Sequence, residues 1–219
     1  MSSRLLIIFV LFFNTVQSQE TPPHRISVEA RLPTGTSNPS FKAVIQDIAH
    51  ARLDYGLHLI KGIRAGVGYA HYFGRVDDVT LLLNRPSNGS VNGMAPYGFL
   101  GYERWLNEQW MLEAKFAAGY SWMNHQNNIC PENTENVQQE GSYFEPSVGV
   151  NIVAQPGVLV SFTVGYTFFG QNFRPGTLCM ANFPGFSDDS YIGTTQYLSF
   201  GFGFSFLPGK RGGEFVIPY

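Results

Sequence analysis

The last strand-like segment of the chain, residues 198–206, carries a bulky apolar side chain at every second position. The bulky residues are Leu198, Phe200, Phe202, Phe204 and Phe206. The residues between them are Ser199, Gly201, Gly203 and Ser205. Because successive side chains of a strand point to opposite faces, one face is made of large apolar groups and the other of very small ones. A strand of this kind suits a sheet with hydrocarbon on one side and little room on the other.

The same period of two recurs along the rest of the chain, which divides into eight segments from residue 25 onward. The predicted strands are residues 25–32, 51–59, 63–73, 95–105, 110–122, 144–152, 158–168 and 195–206. Most are about the 9 to 11 residues that a tilted strand needs to cross a bilayer. In the fourth segment Tyr97, Phe99 and Trp105 share a phase, which we assign to the lipid-facing side.

The connections between these segments alternate between short and long. Residues 61–62, 106–108 and 155–157 are short and rich in turn-forming residues. Residues 33–49, 74–94, 123–143 and 169–194 are long and polar, although residues 41–49 could instead extend the second strand or form a short helix. Tight turns at one end and long loops at the other are typical of outer-membrane barrels. The predicted fold is therefore all-β, an eight-stranded antiparallel up-and-down transmembrane β-barrel.

The size of the side chains decides which face of the barrel meets lipid. An eight-stranded barrel has an interior just wide enough to be filled by side chains, so the many large rings belong outside. A soluble ligand-binding barrel would reverse this arrangement. Trp105 and Trp110 flank a turn, while the residues Tyr72, Phe73, Tyr120 and Trp122 lie near loop bases, as expected of an interfacial aromatic girdle.

The beginning of the chain reads as an export signal followed by a single domain. Residues 1–18 combine Arg4, an apolar run over residues 5–13, and the small residues Val16 and Ser18 before a cut at Gln19. An uncleaved anchor is the alternative, but the apolar run is much shorter than the roughly 20 residues of a spanning helix. We expect a barrel domain over residues 19–219, with its strands in residues 25–206 and a tail over residues 207–219.

The only two cysteines, Cys130 and Cys179, lie in predicted loops. In an exported chain such a pair suggests a disulfide. Two unpaired thiols remain the alternative, because the sequence does not place them near each other.

The small-residue face also carries charged groups, which inside a membrane barrel must be paired or hydrated. The predicted interior network consists of Glu29, Arg31, Arg52, Asp54, His58, Arg64, Arg104, Glu113, Lys115 and Glu145. We interpret it as a set of salt bridges that closes the barrel. A narrow conducting path lined by the same groups is the alternative.

At this point the chain resembles the small eight-stranded outer-membrane barrels of Gram-negative bacteria, the OmpA-like and OmpX-like barrels and the outer-membrane β-barrel domain proteins abundant in Bacteroidota. The resemblance rests on a terminal assembly signal of polar and aromatic residues, matched by Ser199, Gly201, Phe204 and Phe206. It implies that the barrel-assembly machinery reads this strand. The match departs from the usual pattern because residues 207–219 follow it, and residues 215–219 could supply the terminal aromatic residue instead.

The functional expectation is a monomeric, non-enzymatic outer-membrane protein with a structural, adhesion or partner-docking role through its long extracellular loops. A narrow solute pore and a lipid-modifying enzyme are the alternatives. No histidine lies in a His-x-Ser-Asn arrangement like that of the lipid A deacylases, and no His/Cys cluster has zinc-ligand spacing. We expect no cofactor and no nucleic-acid partner. The expected partners are outer-membrane lipid, the assembly machinery and an extracellular ligand or protein.

Overall fold

Eight antiparallel strands close into one barrel in the computed structural model, which describes residues 24–35, 45–60, 62–76, 89–126, 137–173 and 193–208. The strands are β1 (His24–Gly35), β2 (Ile45–Ile60), β3 (Ile63–Val76), β4 (Ser90–Trp105), β5 (Trp110–Gln126), β6 (Val137–Gln155), β7 (Val158–Phe173) and β8 (Gly193–Phe206). Each strand pairs with its neighbours in sequence, and β1 pairs with β8 to close the cylinder. The predicted fold class is confirmed.

The strand axes tilt within the barrel wall. Directly paired residues lead from Ile26 around the wall to Gln196 on β8, whose neighbour Tyr197 pairs with Gly35 of β1. The intermediate residues are Tyr55, Val67, Gly98, Ala118, Phe144 and Phe168. One circuit therefore climbs about ten residues along β1, which is the stagger that closure of a tilted barrel requires.

The three predicted short connections are tight turns. Gly62 and Gly157 both have φ near +81°, a conformation that a residue without a Cβ adopts at no steric cost. The β4–β5 turn is held by Asn107, whose Oδ1 accepts hydrogen bonds from the backbone N–H groups of Gln109 and Trp110, both at 2.9 Å. We refer to this end of the barrel as the turn side and to the opposite end as the loop side.

The strands run farther toward the loop side than the sequence predicted. β2 begins at residue 45 rather than 51, β4 at residue 90 rather than 95, and β6 at residue 137 rather than 144. The open question over residues 41–49 is settled for residues 45–49, which extend β2; residues 36–44 lie outside the described residues. Several strands are therefore longer than the roughly 9 to 11 residues needed to cross a bilayer.

The outer wall is apolar, as the size argument required. Phe200, Phe202 and Phe204 point outward with 55%, 45% and 43% of their surface exposed, while Ser199 and Ser205 beside them are fully buried. Exposing such rings to water would cost on the order of 1.5–3 kcal/mol each. A hydrocarbon environment removes that cost, and closure of the sheet leaves no strand edge unpaired within it.

Candidate functional site

Side chains fill the barrel interior, and the predicted charged groups meet there. Nine of the ten predicted residues point inward: Glu29, Arg31, Arg52, Asp54, His58, Arg64, Glu113, Lys115 and Glu145. The prediction is wrong for the tenth residue, Arg104. Glu103 occupies the interior position at that level and Arg104 lies on the opposite face of β4, half-buried. The structure adds Arg25 and Asn151 to the interior set.

The charges nearest the turns form one group, the turn-side cluster, made of Arg25, His58, Arg64, Glu103 and Glu113. Arg25 lies 2.7 Å from Glu103 and 3.1 Å from Glu113, measured between guanidinium nitrogen and carboxylate oxygen. Arg64 contacts the same two carboxylates, at 2.9 Å from Glu103. His58 hydrogen-bonds to the second oxygen of Glu103. Five consecutive strands thus meet in one set of ion pairs.

Polar side chains of the remaining strands complete the contacts of Arg25. Its Nη2 donates to Asn151 Oδ1 at 2.7 Å and to Ser205 Oγ at 2.8 Å. Ser161 in turn donates to Asn151 Oδ1 at 2.6 Å. Arg25 therefore links β1 to strands on both sides of the closure, which fixes the register of the last strands against the first.

A second group, the central cluster, lies above the first and consists of Glu29, Arg31, Arg52, Asp54, Lys115 and Glu145. Glu145 accepts from both Arg31, at 2.8 Å, and Arg52. Arg31 also lies 3.0 Å from Glu29, and Lys115 lies 2.5 Å from Asp54. Hydroxyl groups of Tyr143 and Thr167 each donate to Glu145 Oε2 at 2.8 Å. The carboxylate at the centre of the barrel is thus fully surrounded by donors.

Each cluster is balanced in formal charge. The turn-side cluster sets two arginines against two glutamates, with His58 beside them, and the central cluster sets three cations against three carboxylates. Buried charges are tolerated only when paired and hydrogen-bonded. Among the residues that the structure describes, the two clusters therefore give the interior no net charge of either sign that would select ions.

Aromatic rings support the cations from the side. The Arg52 guanidinium lies 4.7 Å from the centre of the Tyr97 ring, and that of Arg64 lies 5.1 Å from the centre of Phe99. Cation–π contacts of this kind stabilise a desolvated guanidinium. Glycines on β3 make the room, because a Cβ on Gly68 would lie 2.4 Å from the Tyr97 ring.

The loop-side half of the interior is aromatic rather than ionic. The aromatic cluster consists of Tyr72, Tyr143, Phe169, Phe173 and Tyr197, each at most 2% exposed. Ring centres of Tyr72 and Phe169 are 5.2 Å apart, and those of Phe169 and Tyr197 are 5.3 Å apart, both in edge-to-face geometry. The sequence prediction placed Tyr143, Phe169 and Phe173 in loops and Tyr72 in the girdle. The prediction that Tyr72 belongs to the girdle is wrong, because its ring points inward and is buried.

The turn-side end is closed by a small apolar group. Met111, Leu159 and Leu207 pack together there, with Trp105 and Val153 against them. Between the turn-side cluster and the central cluster lies a cavity of about 20 Å³, lined by Arg25, Glu29, Asp54, Glu113 and Lys115 and by hydroxyl groups. That volume is room for about one water molecule. Throughout the described strands, therefore, the interior is filled and no continuous opening is evident.

One error explains every wrong placement on β4. The prediction put Tyr97, Phe99 and Trp105 on the lipid face and Arg104 inside. The structure reverses the phase: Tyr97 and Phe99 are only 4% and 6% exposed, while Leu100 is 58% exposed. Trp105 packs on the turn-side apolar group instead of forming a girdle with Trp110, which is 40% exposed. The rings of Tyr97 and Phe99 face the interior because they pack against the guanidinium groups of Arg52 and Arg64.

The predicted assembly signal lies in β8, where Ser199 and Gly201 face the interior and Phe204 and Phe206 face outward. Outside the described residues lie the predicted signal peptide of residues 1–18, the predicted disulfide pair Cys130 and Cys179, and tail residues 209–219. Of the tail, Leu207 is described and its N–H donates to the carbonyl of Gly157 at 2.8 Å.

Within the described part of the chain, no group of three or more His, Cys, Asp or Glu side chains is arranged to hold a metal ion. No helix among the same residues is long and apolar enough to cross a membrane.

Solved structures with the same architecture include bacterial outer-membrane proteins. The chain superimposes on Neisserial surface protein A with a TM-score of 0.53 and 10% identity, over 85% of this chain and 97% of that one. A major outer membrane protein from Thermus thermophilus gives a TM-score of 0.51 and 13% identity, over 84% and 98% of the two chains. No family model and no curated protein sequence matches. The chain thus has the fold of the small eight-stranded outer-membrane β-barrels.

Proposed function

We propose that the protein is an integral outer-membrane barrel with a sealed interior, which works through its loop-side surface in adhesion or partner docking or as envelope support. The observation that carries the proposal is the balanced filling of the interior. Two neutral charge clusters and an aromatic cluster occupy it from one end to the other. A barrel closed in this way is suited to contacts at its surface rather than to the passage of solutes.

The length of the strands supports the same proposal. β5 has 17 residues and β6 has 19, against the roughly 9 to 11 that cross a bilayer. The surplus lies on the loop side, where the wall continues beyond the membrane. Such an extension places the loop-side ends of these strands beyond the lipid surface.

Adhesion and docking are tested by shortening one connection. Residues 174–192 are replaced by a short Gly-Ser linker, and bacteria that express either form are compared for attachment to cultured epithelial cells and for interaction with outer-membrane partners by in-cell cross-linking. The proposal predicts that attachment or a specific cross-link is lost while the barrel still inserts. A control substitution in the turn at the opposite end, Glu108→Gly, should leave both readouts unchanged.

Two results would contradict the proposal. Steady solute flux through reconstituted protein would favour the narrow pore. A change in the mass of lipid A upon expression would favour a lipid-modifying enzyme.

A further inference from the structure

The outer face of β4, β5 and β6 carries an unusual group of side chains just above the level where the sheet leaves the membrane. Directly paired positions place Asn92 beside Asn124, and Asn124 beside Gln138. The row below pairs Trp122 with Glu140. We call this set, completed by Tyr120, the amide patch. Paired side chains of a sheet have Cβ atoms roughly 4.5–5.5 Å apart, so the amides form one continuous surface.

The position of the patch relative to lipid follows from two prolines. The β4–β5 pairing is interrupted at Pro96, opposite Tyr120, and the β6–β7 pairing at Pro146, opposite Tyr166. A proline has no N–H, so the facing carbonyl loses its donor, which is costly within hydrocarbon. We therefore place the hydrocarbon boundary near these prolines. Residues 110–120 of β5 then have the length of a crossing strand, and Trp122 lies at the headgroup level.

Hydrogen bonds within the patch hold its carboxylate in place. The Tyr120 hydroxyl donates to Glu140 Oε2 at 3.1 Å, and Gln138 Nε2 donates to Glu140 Oε1 at 2.7 Å. The rings of Tyr120 and Trp122 meet edge to face with centres 4.9 Å apart. Asn92, Gln138 and Glu140 are exposed, and Asn124 is half-buried.

The chemistry of this surface matches that of a sugar. A sugar ring has a rim of hydroxyl groups that both donate and accept, and an amide side chain also does both. The C–H faces of the sugar suit an aromatic ring, which Trp122 and Tyr120 present. A carboxylate accepts hydroxyl hydrogen bonds of the stronger, charge-assisted kind.

Charge argues against the phosphate portion of a lipid as the main contact. The patch contains a carboxylate, and its nearest described cation on the outer face is Arg75 at the upper margin, which pairs with Ser90 of β4. A lone arginine at the edge is less than the basic cluster that phosphate groups favour. We propose that the amide patch binds the saccharide part of a glycolipid in the surrounding outer leaflet.

The test uses the barrel in phosphatidylcholine nanodiscs and follows the indole N–H resonance of Trp122. Three additives are titrated: rough lipopolysaccharide, the same material after removal of its phosphates, and phosphatidylglycerol. The proposal predicts that the first two shift the resonance and that phosphatidylglycerol does not. The Asn124→Ala/Gln138→Ala variant should bind both glycolipids about tenfold more weakly, the equivalent of one or two hydrogen bonds. Gln155→Ala, which removes an exposed amide at the turn side of β6, is the control and should bind as the wild type does.

Three outcomes would overturn the proposal. They are an equal response to phosphatidylglycerol, a loss of binding when the phosphates are removed, and an unchanged affinity in the double variant.

Discussion

The two halves of the barrel interior are filled by different kinds of contact. The turn-side half is held by ion pairs, in which two or three carboxylates and as many cations satisfy one another. The loop-side half is held by rings that pack edge to face. Ion pairs are strongly interdependent, since removing one partner leaves a buried charge. Truncating a buried ring costs only the contacts of the atoms that are removed and the cavity that they leave. The comparison predicts that damage is cooperative in one half and local in the other.

The largest effect is expected from Glu145→Gln, in the central cluster. Glu145 contacts both Arg31 and Arg52, so the substitution leaves two buried guanidinium groups without their shared anion. We expect a loss of about 3–5 kcal/mol in the free energy of unfolding, measured by urea unfolding in lipid vesicles. Adding Arg52→Met to this variant should recover part of the loss. Glu140→Gln on the outer face is the control and should cost little.

A somewhat smaller loss is expected from Phe169→Ala in the aromatic cluster. Phe169 is 2% exposed and packs against three tyrosine rings. The expected cost is about 3 kcal/mol, through lost contacts and a cavity. Phe168→Ala, the outward neighbour, should cost less because lipid fills the vacated space. Equal losses for the two variants would mean that the aromatic half is not tightly packed.

A third variant, Gly201→Ala, introduces a steric clash with the central cluster without removing a charge. A Cβ at this position would lie 2.2 Å from Glu29 Oε1 and 2.8 Å from Arg31 Cγ. Both side chains must shift, and we expect a loss of about 1–3 kcal/mol. On the outer face, Gly98→Ala meets nothing closer than 3.8 Å and should change stability by no more than about 0.5 kcal/mol. If both alanines are tolerated equally, the central cluster is looser than described.

The smallest expected effect concerns Tyr143, which belongs to the aromatic cluster and donates to Glu145 of the ionic half at 2.8 Å. Tyr143→Phe keeps the ring and removes the hydroxyl group that makes this hydrogen bond. We expect a loss of about 1 kcal/mol. Tyr69→Phe, an exposed ring on the outer face, should leave the unfolding midpoint unchanged. A Tyr143→Phe loss as large as that of Glu145→Gln would show that the two halves act as one unit.

The sequence predicted the fold because side-chain alternation, strand length and connection length are independent signals that agree. It predicted most of the charged interior because a charged residue in the same phase as Gly and Ser must face the interior of the barrel. It failed on β4, where large rings occur in both phases, so that size alone gives the wrong face. There the deciding contacts are with Arg52 and Arg64 on other strands, and no local pattern reveals them.

The aromatic cluster was missed for a different reason. Tyr143, Phe169 and Phe173 lie in stretches rich in Asn, Gly and Gln, a composition that is typical of loops. Yet each continues the inward phase of its strand, Tyr143 with Glu145 and Phe169 with Thr167. Extending the period of two beyond the length of a membrane crossing would have found them.

The most direct test of the sealed interior is the current through a planar bilayer that contains the purified wild-type protein. Two neutral clusters and a packed aromatic cluster predict no steady conductance above that of the lipid alone, at low or at high salt. A stable unitary conductance that rises with salt concentration would contradict the account, because it would require a continuous aqueous path where the structure places paired charges and rings.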